Sequence, residues 1–269
     1  MSERTGYNPG EFSWVDLSTT DVEAAARFYR DLMGWETQPA GPPEETGGYG
    51  FFMNDGKMVG GIGPVFGGQP PSWNSYVTVD DADATAAKIR EAGGTVVAEP
   101  IDLPADAGRM GVAMDPGGAF FSFIKQGASS IGAQIVNEPG AWTWNHLNTK
   151  DIEQAKRFYG EVFGWEAKVS EGAPPDTPYL NWQVRGQKWP EGVGGVSEMG
   201  VSAFPADIPA HWVVYLAVPD AEAAAETTRA AGGTVVVDPL PIPLGKMGIF
   251  IDPQGALFGI IEPHYPEPR

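Results

Sequence analysis

From Phe12 to Thr19 the chain alternates, with Trp14, Asp16 and Ser18 on one face and Val15 and Leu17 on the other. A period of two predicts a strand whose faces meet different surroundings. The period then lengthens: Val22, Ala25, Ala26, Tyr29, Leu32 and Met33 recur at helical spacing. Thr20-Asp21 supplies an N-cap oxygen for the first turn, and Gly34 stands where a left-handed C-terminal residue belongs. The pattern is a strand feeding an amphipathic helix. It returns from Trp142 to Trp165, with His146 in the place of Asp16 and Asp151 in the place of Asp21, at an offset of 130 residues.

Between these copies the chain carries a second strand–helix unit. Pro39 to Gly48 is rich in proline, glycine and glutamate and reads as a surface loop. Tyr49 to Met53 and Val59 to Val65 then read as strands joined across Asn54-Asp55-Gly56, a hairpin signal. Trp73 to Val79 is the next strand, followed by a helix from Asp81 to Ala92 that ends in Gly93-Gly94. Strands follow at Thr95 to Ala98, Met110 to Met114 and Ala119 to Ile124, the last two joined by the turn Asp115-Pro116-Gly117-Gly118. After a linker from Lys125 to Gly140 the whole arrangement repeats. Trp142 to Met199 matches the first unit, with a longer loop through Pro174, Pro175 and Pro178. His211 to Glu262 matches the second: Trp212, Tyr215, Gly232-Gly233-Thr234-Val235-Val236 and Asp252-Pro253-Gln254-Gly255-Ala256 repeat Trp73, Tyr76, Gly93 to Val97 and Asp115 to Ala119. The tail from Pro263 to Arg269 reads as extended. Each half is therefore a pair of strand–helix–strand–strand–strand units.

Composition narrows the partners. The 269 residues fit two domains, and a 42% hydrophobic content suffices for a core in each. A net charge of −18 argues against nucleic acid and anionic membrane, which need clustered lysine and arginine. With no cysteine there is no disulfide, thiolate nucleophile or thiolate metal site. Met1 to Gly10 lacks an apolar signal core and no run approaches a membrane span, so a cytoplasmic location is expected.

The Asp21 to Trp35 helix, the Gly-Gly-Thr-Val strands and the Asp-Pro-x-Gly-Ala turns resemble the vicinal oxygen chelate superfamily of glyoxalases, bleomycin-resistance proteins and extradiol dioxygenases. The likeness is to its two-domain actinobacterial type. It implies an α+β fold of tandem domains over residues 7–127 and 130–263, each made of two βαβββ modules that form a curved mixed sheet around a cleft, with helices on the outer face. Duplication within one chain supplies the partner domain that single-domain relatives gain by dimerising, so a monomer is favoured, with a dimer possible.

The resemblance also fixes where metal-dependent relatives carry their ligands. Those positions hold Trp14, Asn74 and Ser122 in the first half and Trp144, Val213 and Gly259 in the second, with fourth-strand positions in glycine-rich Gly60 to Gly63 and Gly194 to Val196. Indole and aliphatic groups do not bind a divalent cation, and a catalytic site needs about three protein ligands. No metal and no other cofactor is expected.

Alternation assigns the cleft faces. The first cleft receives Trp14, Asp16, Ser18, Asn74, Tyr76, Phe120, Ser122 and Ile124; the second receives Trp144, His146, Asn148, His211, Val213, Tyr215, Leu257, Gly259 and Ile261. Mostly aromatic walls with a few hydrogen-bonding groups suit a small aromatic molecule. Trp14, Ser18, Asn74, Phe120, Ser122, Trp144, Asn148 and Tyr215 are the candidate binding residues. Asp16, Tyr76 and His146 are the candidate catalytic ones. A carboxylate between aromatics is partly desolvated, which raises its pKa toward the range useful for proton transfer; the structural alternative is an aspartate that caps a loop or pairs with Arg109. His146 could exchange a proton near neutral pH, or simply be a hydrogen-bonded histidine at the rim. Gly60-Gly61-Ile62-Gly63 opens no helix, so it is not a dinucleotide loop.

Two functions follow. One is a metal-independent acid–base enzyme, of dehydratase, cyclase or isomerase type, acting on a bulky aromatic natural-product intermediate such as a polyketide. The other is a drug- or metabolite-binding protein of the bleomycin-resistance kind, without turnover. An ionisable group in an apolar pocket costs free energy that a binder has no need to spend, so Asp16 favours the enzyme.

Overall fold

Each half of the chain builds one eight-stranded mixed sheet in the computed structural model, which describes residues 3–170, 179–186, 193–200, 207–243 and 245–264. The first half runs β1 (Phe12–Thr19), α1 (Val22–Met33), β2 (Glu36–Pro39), the short α2 (Pro43–Thr46), β3 (Gly50–Asn54), β4 (Lys57–Pro64), β5 (Ser72–Thr78), α3 (Ala82–Glu91), β6 (Thr95–Asp102), β7 (Gly108–Met114) and β8 (Phe120–Gln126). The second runs β9 (Ala141–Thr149), α4 (Ile152–Phe163), β10 (Trp165–Val169), β11 (Leu180–Val184), β12 (Gly194–Glu198), β13 (His211–Ala217), α5 (Ala221–Ala230), β14 (Thr234–Ile242), β15 (Gly245–Ile251) and β16 (Leu257–Pro263). The spatial orders are β2-β3-β4-β1-β5-β8-β7-β6 and β10-β11-β12-β9-β13-β16-β15-β14, the same topology twice. The fold is α+β with two tandem curved sheets, each built from two βαβββ modules that meet where β1 pairs antiparallel with β5 and β9 with β13.

Local chemistry sets the element ends. The Asp21 carboxylate accepts from the Ala24 amide at 2.9 Å, and Gly34 closes α1 in the left-handed region at φ 74°. Asp81, Asp151 and Asp220 cap α3, α4 and α5 in the same way. At the Asn54–Lys57 hairpin, Asp55 and Gly56 both take positive φ, as a two-residue turn of this twist requires. Three features differ from the sequence reading. The four residues of β2 form a strand that alternation could not reveal, because all are exposed. The loop after it contains α2. And β6 continues past Ala98 to Asp102 through two register shifts. The loop prolines Pro174, Pro175 and Pro178, and the tail beyond His264, lie outside the described residues.

The halves share one apolar core. Leu17 and Leu147 are fully buried on the helix faces of their sheets, and Phe12 of β1 packs edge-on against Trp212 of β13 and tilted against Trp165 of β10. Two reciprocal polar clamps cross this core. The Tyr29 hydroxyl accepts from Trp73 Nε1 (2.8 Å) and donates to Asp252 Oδ2 of the other half (3.2 Å). The Tyr159 hydroxyl accepts from Trp212 Nε1 (2.9 Å) and donates to Asp115 Oδ2 (2.9 Å). Each aspartate also receives backbone amides of its own turn, so the Asp-Pro-x-Gly turn serves as a joint between halves. The connecting segment is packed rather than free: Ala133, Ile135 and Val136 are buried, and the Ala133 and Gln134 amides bond to Ser13 and Met58 carbonyls. Among the described residues no helix is long and apolar enough to cross a membrane.

Candidate active site

Strand pairing gathers residues that are far apart in the chain. Asp16 lies opposite Gly61 of β4 on one side and Asn74 of β5 on the other. Trp14 lies opposite Tyr76, and Tyr76 opposite Ser122 of β8. Asp16 is 5% exposed, yet four polar side chains converge around it. Its Oδ2 accepts from the Tyr76 hydroxyl at 2.8 Å and the Tyr49 hydroxyl at 3.0 Å. Its Oδ1 accepts from Asn74 Nδ2 at 2.8 Å, and the same amide reaches Ser18 Oγ at 3.1 Å. Trp14 Nε1 donates to the Tyr49 oxygen at 2.9 Å. An ionised carboxylate offers about four lone-pair positions, so Oδ1 retains one for a further donor.

Electrostatics follow from this burial. Desolvation pushes the Asp16 carboxyl above its ordinary value, and the bonds from Asn74, Tyr76 and Tyr49 partly oppose it. Burial, reinforced by the Asp16 charge, lifts Tyr49 and Tyr76 well above the usual phenol range, so both remain protonated donors. Arg109 is not the partner of Asp16. Its guanidinium forks onto Asp83 (2.8 Å) and Asp102 (3.1 Å) at the exposed start of β7, which corrects the ion-pair alternative. Around the carboxylate the cleft face carries half-buried Trp14, Phe51, Met110, Val112 and Met114, with Phe120 half exposed and Ser122 buried.

Tyr49 is the residue that periodicity did not single out. It stands just before β3, and its ring lies over β4: a Cβ on Gly61 would sit 1.9 Å from its hydroxyl oxygen, and one on Gly63 2.9 Å from its Cδ2. The glycine-rich strand is thus a floor for an aromatic ring. The signal in the sequence is faint but present, since Tyr179 follows Tyr49 at the same 130-residue offset and Gly195 replaces Gly61 beneath it.

The second cleft repeats the frame with neutral groups. Trp144 Nε1 donates to the Tyr179 oxygen at 2.9 Å; His146 Nδ1 lies 3.2 Å from that oxygen and its Nε2 2.8 Å from Ser197 Oγ. Burial, with a smaller contribution from the charge of His211, pushes His146 down to about 3. The expectation that it exchanges a proton near neutral pH is therefore revised: this imidazole is neutral and already hydrogen-bonded. Asn148 is 1% exposed and paired in register with His211. Tyr215 covers Gly259, where an added Cβ would meet its Cδ1 at 2.2 Å.

These residues do not fit a divalent cation. At the ligand positions Trp14 presents an N–H donor rather than a lone pair, Asn74 offers at most a neutral amide oxygen, Val213 is aliphatic, and Gly259 carries no side chain and lies beneath Tyr215. The three-donor acidic cluster found among the described residues, Asp220, Glu222 and Glu262, is largely exposed and bridged by Lys246 rather than set in either cleft.

The family model described as Glyoxalase/Bleomycin resistance protein/Dioxygenase superfamily matches residues 11–123 and again residues 142–260. The chain belongs to this superfamily. Within it, the chain is 38% identical over 98% of its length to "Putative glyoxylase CFP32" of Mycobacterium tuberculosis, covering 98% of that protein. It is 34% identical over 96% of its length to the anthracycline biosynthesis protein DnrV of Streptomyces peucetius, covering 95% of it. Among solved structures, the Mn(II)-bound glyoxalase from Novosphingobium aromaticivorans aligns with a TM-score of 0.62 at 17% identity, over 97% of this chain and 83% of that one, a likeness of fold.

Proposed function

We propose that the first cleft catalyses a metal-independent proton transfer on a bulky aromatic intermediate of polyketide type, with Asp16 as the general acid–base. The observation that carries this reading is a buried carboxylate with no cationic partner among the described residues, at the floor of an aromatic cleft. Burying such a charge costs free energy, and a raised pKa is what brings a carboxylate toward useful proton exchange. Tyr76 and Asn74 hold it in one orientation. Trp14, Phe51 and Phe120 supply ring faces and edges for a flat substrate. Asp16 Oδ1 takes a proton from the substrate and returns it elsewhere on the same molecule, completing an isomerisation. Returned to a departing hydroxyl, the proton leaves as water and the reaction is a dehydration. The relatives named for anthracycline biosynthesis support an aromatic polyketide as the substrate class.

The test is turnover by the full-length protein after chelator treatment, with aromatic polyketide intermediates as substrates and products resolved by mass spectrometry. Asp16→Asn is expected to keep the fold while lowering turnover by about 10²–10⁴-fold. Undiminished turnover in that variant, or activity that disappears with chelation and returns with metal, would sink the proposal. Binding without turnover is the second reading, and the neutral, hydrogen-bonded His146 supports it for the second cleft.

A further inference from the structure

We infer that Tyr49 occupies the seat of an aryl or enol hydroxyl of the ligand, and that the ligand binds by displacing it. The inference rests on the proposed reading that the first cleft is the working site. Around the Tyr49 oxygen the protein has already assembled what a phenol needs: a donor in Trp14 Nε1 at 2.9 Å and an acceptor in Asp16 Oδ2 at 3.0 Å. Beneath the ring, Gly61 and Gly63 remove the side chains that would otherwise fill the slot. The ring rests on a glycine floor and its hydroxyl ends on a carboxylate. A saturated alcohol satisfies the polar pair but not the flat floor, and an aryl ether cannot donate to Asp16.

The second half repeats the seat. Tyr179 lies over Gly195 and accepts from Trp144 Nε1 at 2.9 Å, although Asp16 has become His146. Tyrosine, tryptophan and glycine recur around the seat, and among the described residues only in the first half does the hydroxyl meet a carboxylate.

Tyr49 is also loosely tethered. It ends the segment formed by α2, none of whose residues is buried, followed by Gly47 and Gly48 at φ 63° and 82°. Its own amide bonds to Thr46 O at 3.2 Å and its carbonyl accepts from Ala40 N at 3.1 Å, both within the same loop. Tyr49 as a residue is half-buried, unlike the fully buried Tyr29 and Tyr159 of the core, although its hydroxyl end is enclosed against Asp16 and Gly61. A phenolic ligand entering the seat donates its hydroxyl hydrogen bond to Asp16 in the geometry that Tyr49 now shows.

The experiment measures binding of p-cresol and toluene to full-length wild type and Tyr49→Ala by calorimetry. Expected is p-cresol binding to Tyr49→Ala at least about tenfold tighter than to wild type and at least about tenfold tighter than toluene, since each hydroxyl bond to a fixed partner is worth about a factor of ten. Adding Trp14→Phe or Asp16→Asn to Tyr49→Ala should each weaken p-cresol by a similar factor. Equal affinity for toluene and p-cresol, or no gain over wild type, overturns the inference. Should Tyr49→Ala fail to fold, 3-fluorotyrosine-labelled wild type gives the answer directly. Its Tyr49 fluorine resonance, assigned from Tyr49→Phe, should move to a solvent-exposed position as 1-naphthol is added. A Tyr49 resonance unmoved by 1-naphthol that binds in a Trp14-dependent way also overturns it. Loss of phenol discrimination with Asp16-dependent turnover intact sinks this inference alone. Phenol discrimination with Asp16-independent turnover supports it and sinks the catalytic reading instead.

Discussion

A single methyl group on Gly61 should dislodge Tyr49. In Gly61→Ala the new Cβ would stand 1.9 Å from the Tyr49 oxygen, 2.6 Å from its Cζ and 2.9 Å from Asp16 Cβ. The β4 backbone is pinned between β1 and β3, whereas the tyrosine side chain can swing, so the ring is what moves. Its departure breaks the Tyr49 to Asp16 bond and the Trp14 to Tyr49 bond. A hydrogen bond to a charged group is worth about 1.5–3 kcal/mol and a neutral one about 0.5–1.5 kcal/mol. Against this, replacing glycine by alanine restricts the unfolded chain and returns about 0.4–1 kcal/mol. The net expectation is a loss of about 2–3 kcal/mol. In a Tyr49→Ala background the obstructing ring is gone and only the 2.9 Å approach to Asp16 Cβ remains, so the same Gly61→Ala change should cost less. Denaturant unfolding of wild type, both single variants and the double variant, followed by tryptophan fluorescence, should therefore give a coupling of about 2 kcal/mol. Additivity within about 0.5 kcal/mol, the usual result for independent sites, would refute the contact between Tyr49 and the β4 floor. A second signature is the Asp16 carboxyl itself. With one of its three donors removed, its pKa should rise further, measurable by carbon NMR.

His146→Gln tests the buried neutral imidazole. The folded protein holds His146 down to about 3 against an ordinary 6.5, so between those values the unfolded chain binds a proton that the folded one refuses. Wild type should lose stability as pH falls through this window, by at most about 1.4 kcal/mol per unit, whereas the glutamine variant lacks that slope; parallel pH–stability curves would contradict it. Tyr159→Phe strips Trp212 Nε1 of its acceptor and Asp115 of a donor within the shared core. It should cost about 1–3 kcal/mol, with Tyr29→Phe costing a similar amount in the reciprocal clamp; losses below about 0.5 kcal/mol in both would mean the clamps do not hold the halves together. The covalent pairing of the halves leads us to propose a monomer in solution, and light scattering that returns a dimer at low concentration would overturn it.

Much of this was written locally. The helical run from Val22 to Met33, its Asp21 cap and its Gly34 stop are set by backbone periodicity and short-range hydrogen bonds, and so is the alternation that turns Trp14, Asp16 and Ser18 to one face. Duplication added the rest of the architecture, because the same spacing twice implies the same topology twice. What the one-dimensional pattern did not contain is which side chain completes the site. Tyr49 meets Asp16 only because β4 pairs parallel with β1 while β3 folds back beside β4, and because Gly61 leaves a ring-sized gap there. Arg109 meets Asp83 and Asp102 instead of Asp16 because β7 lies two strands beyond β5, across β8. The state of His146 likewise depends on burial among Ser197 and Tyr215, from the strands on either side of β9, and Tyr179, which stands just before β11. Asp115 and Asp252, legible as turn residues, became joints between halves only once the two sheets met. Periodicity is a property of the backbone and can be read along the chain; charge state and contact depend on which strands come to lie side by side, and pairing decides that.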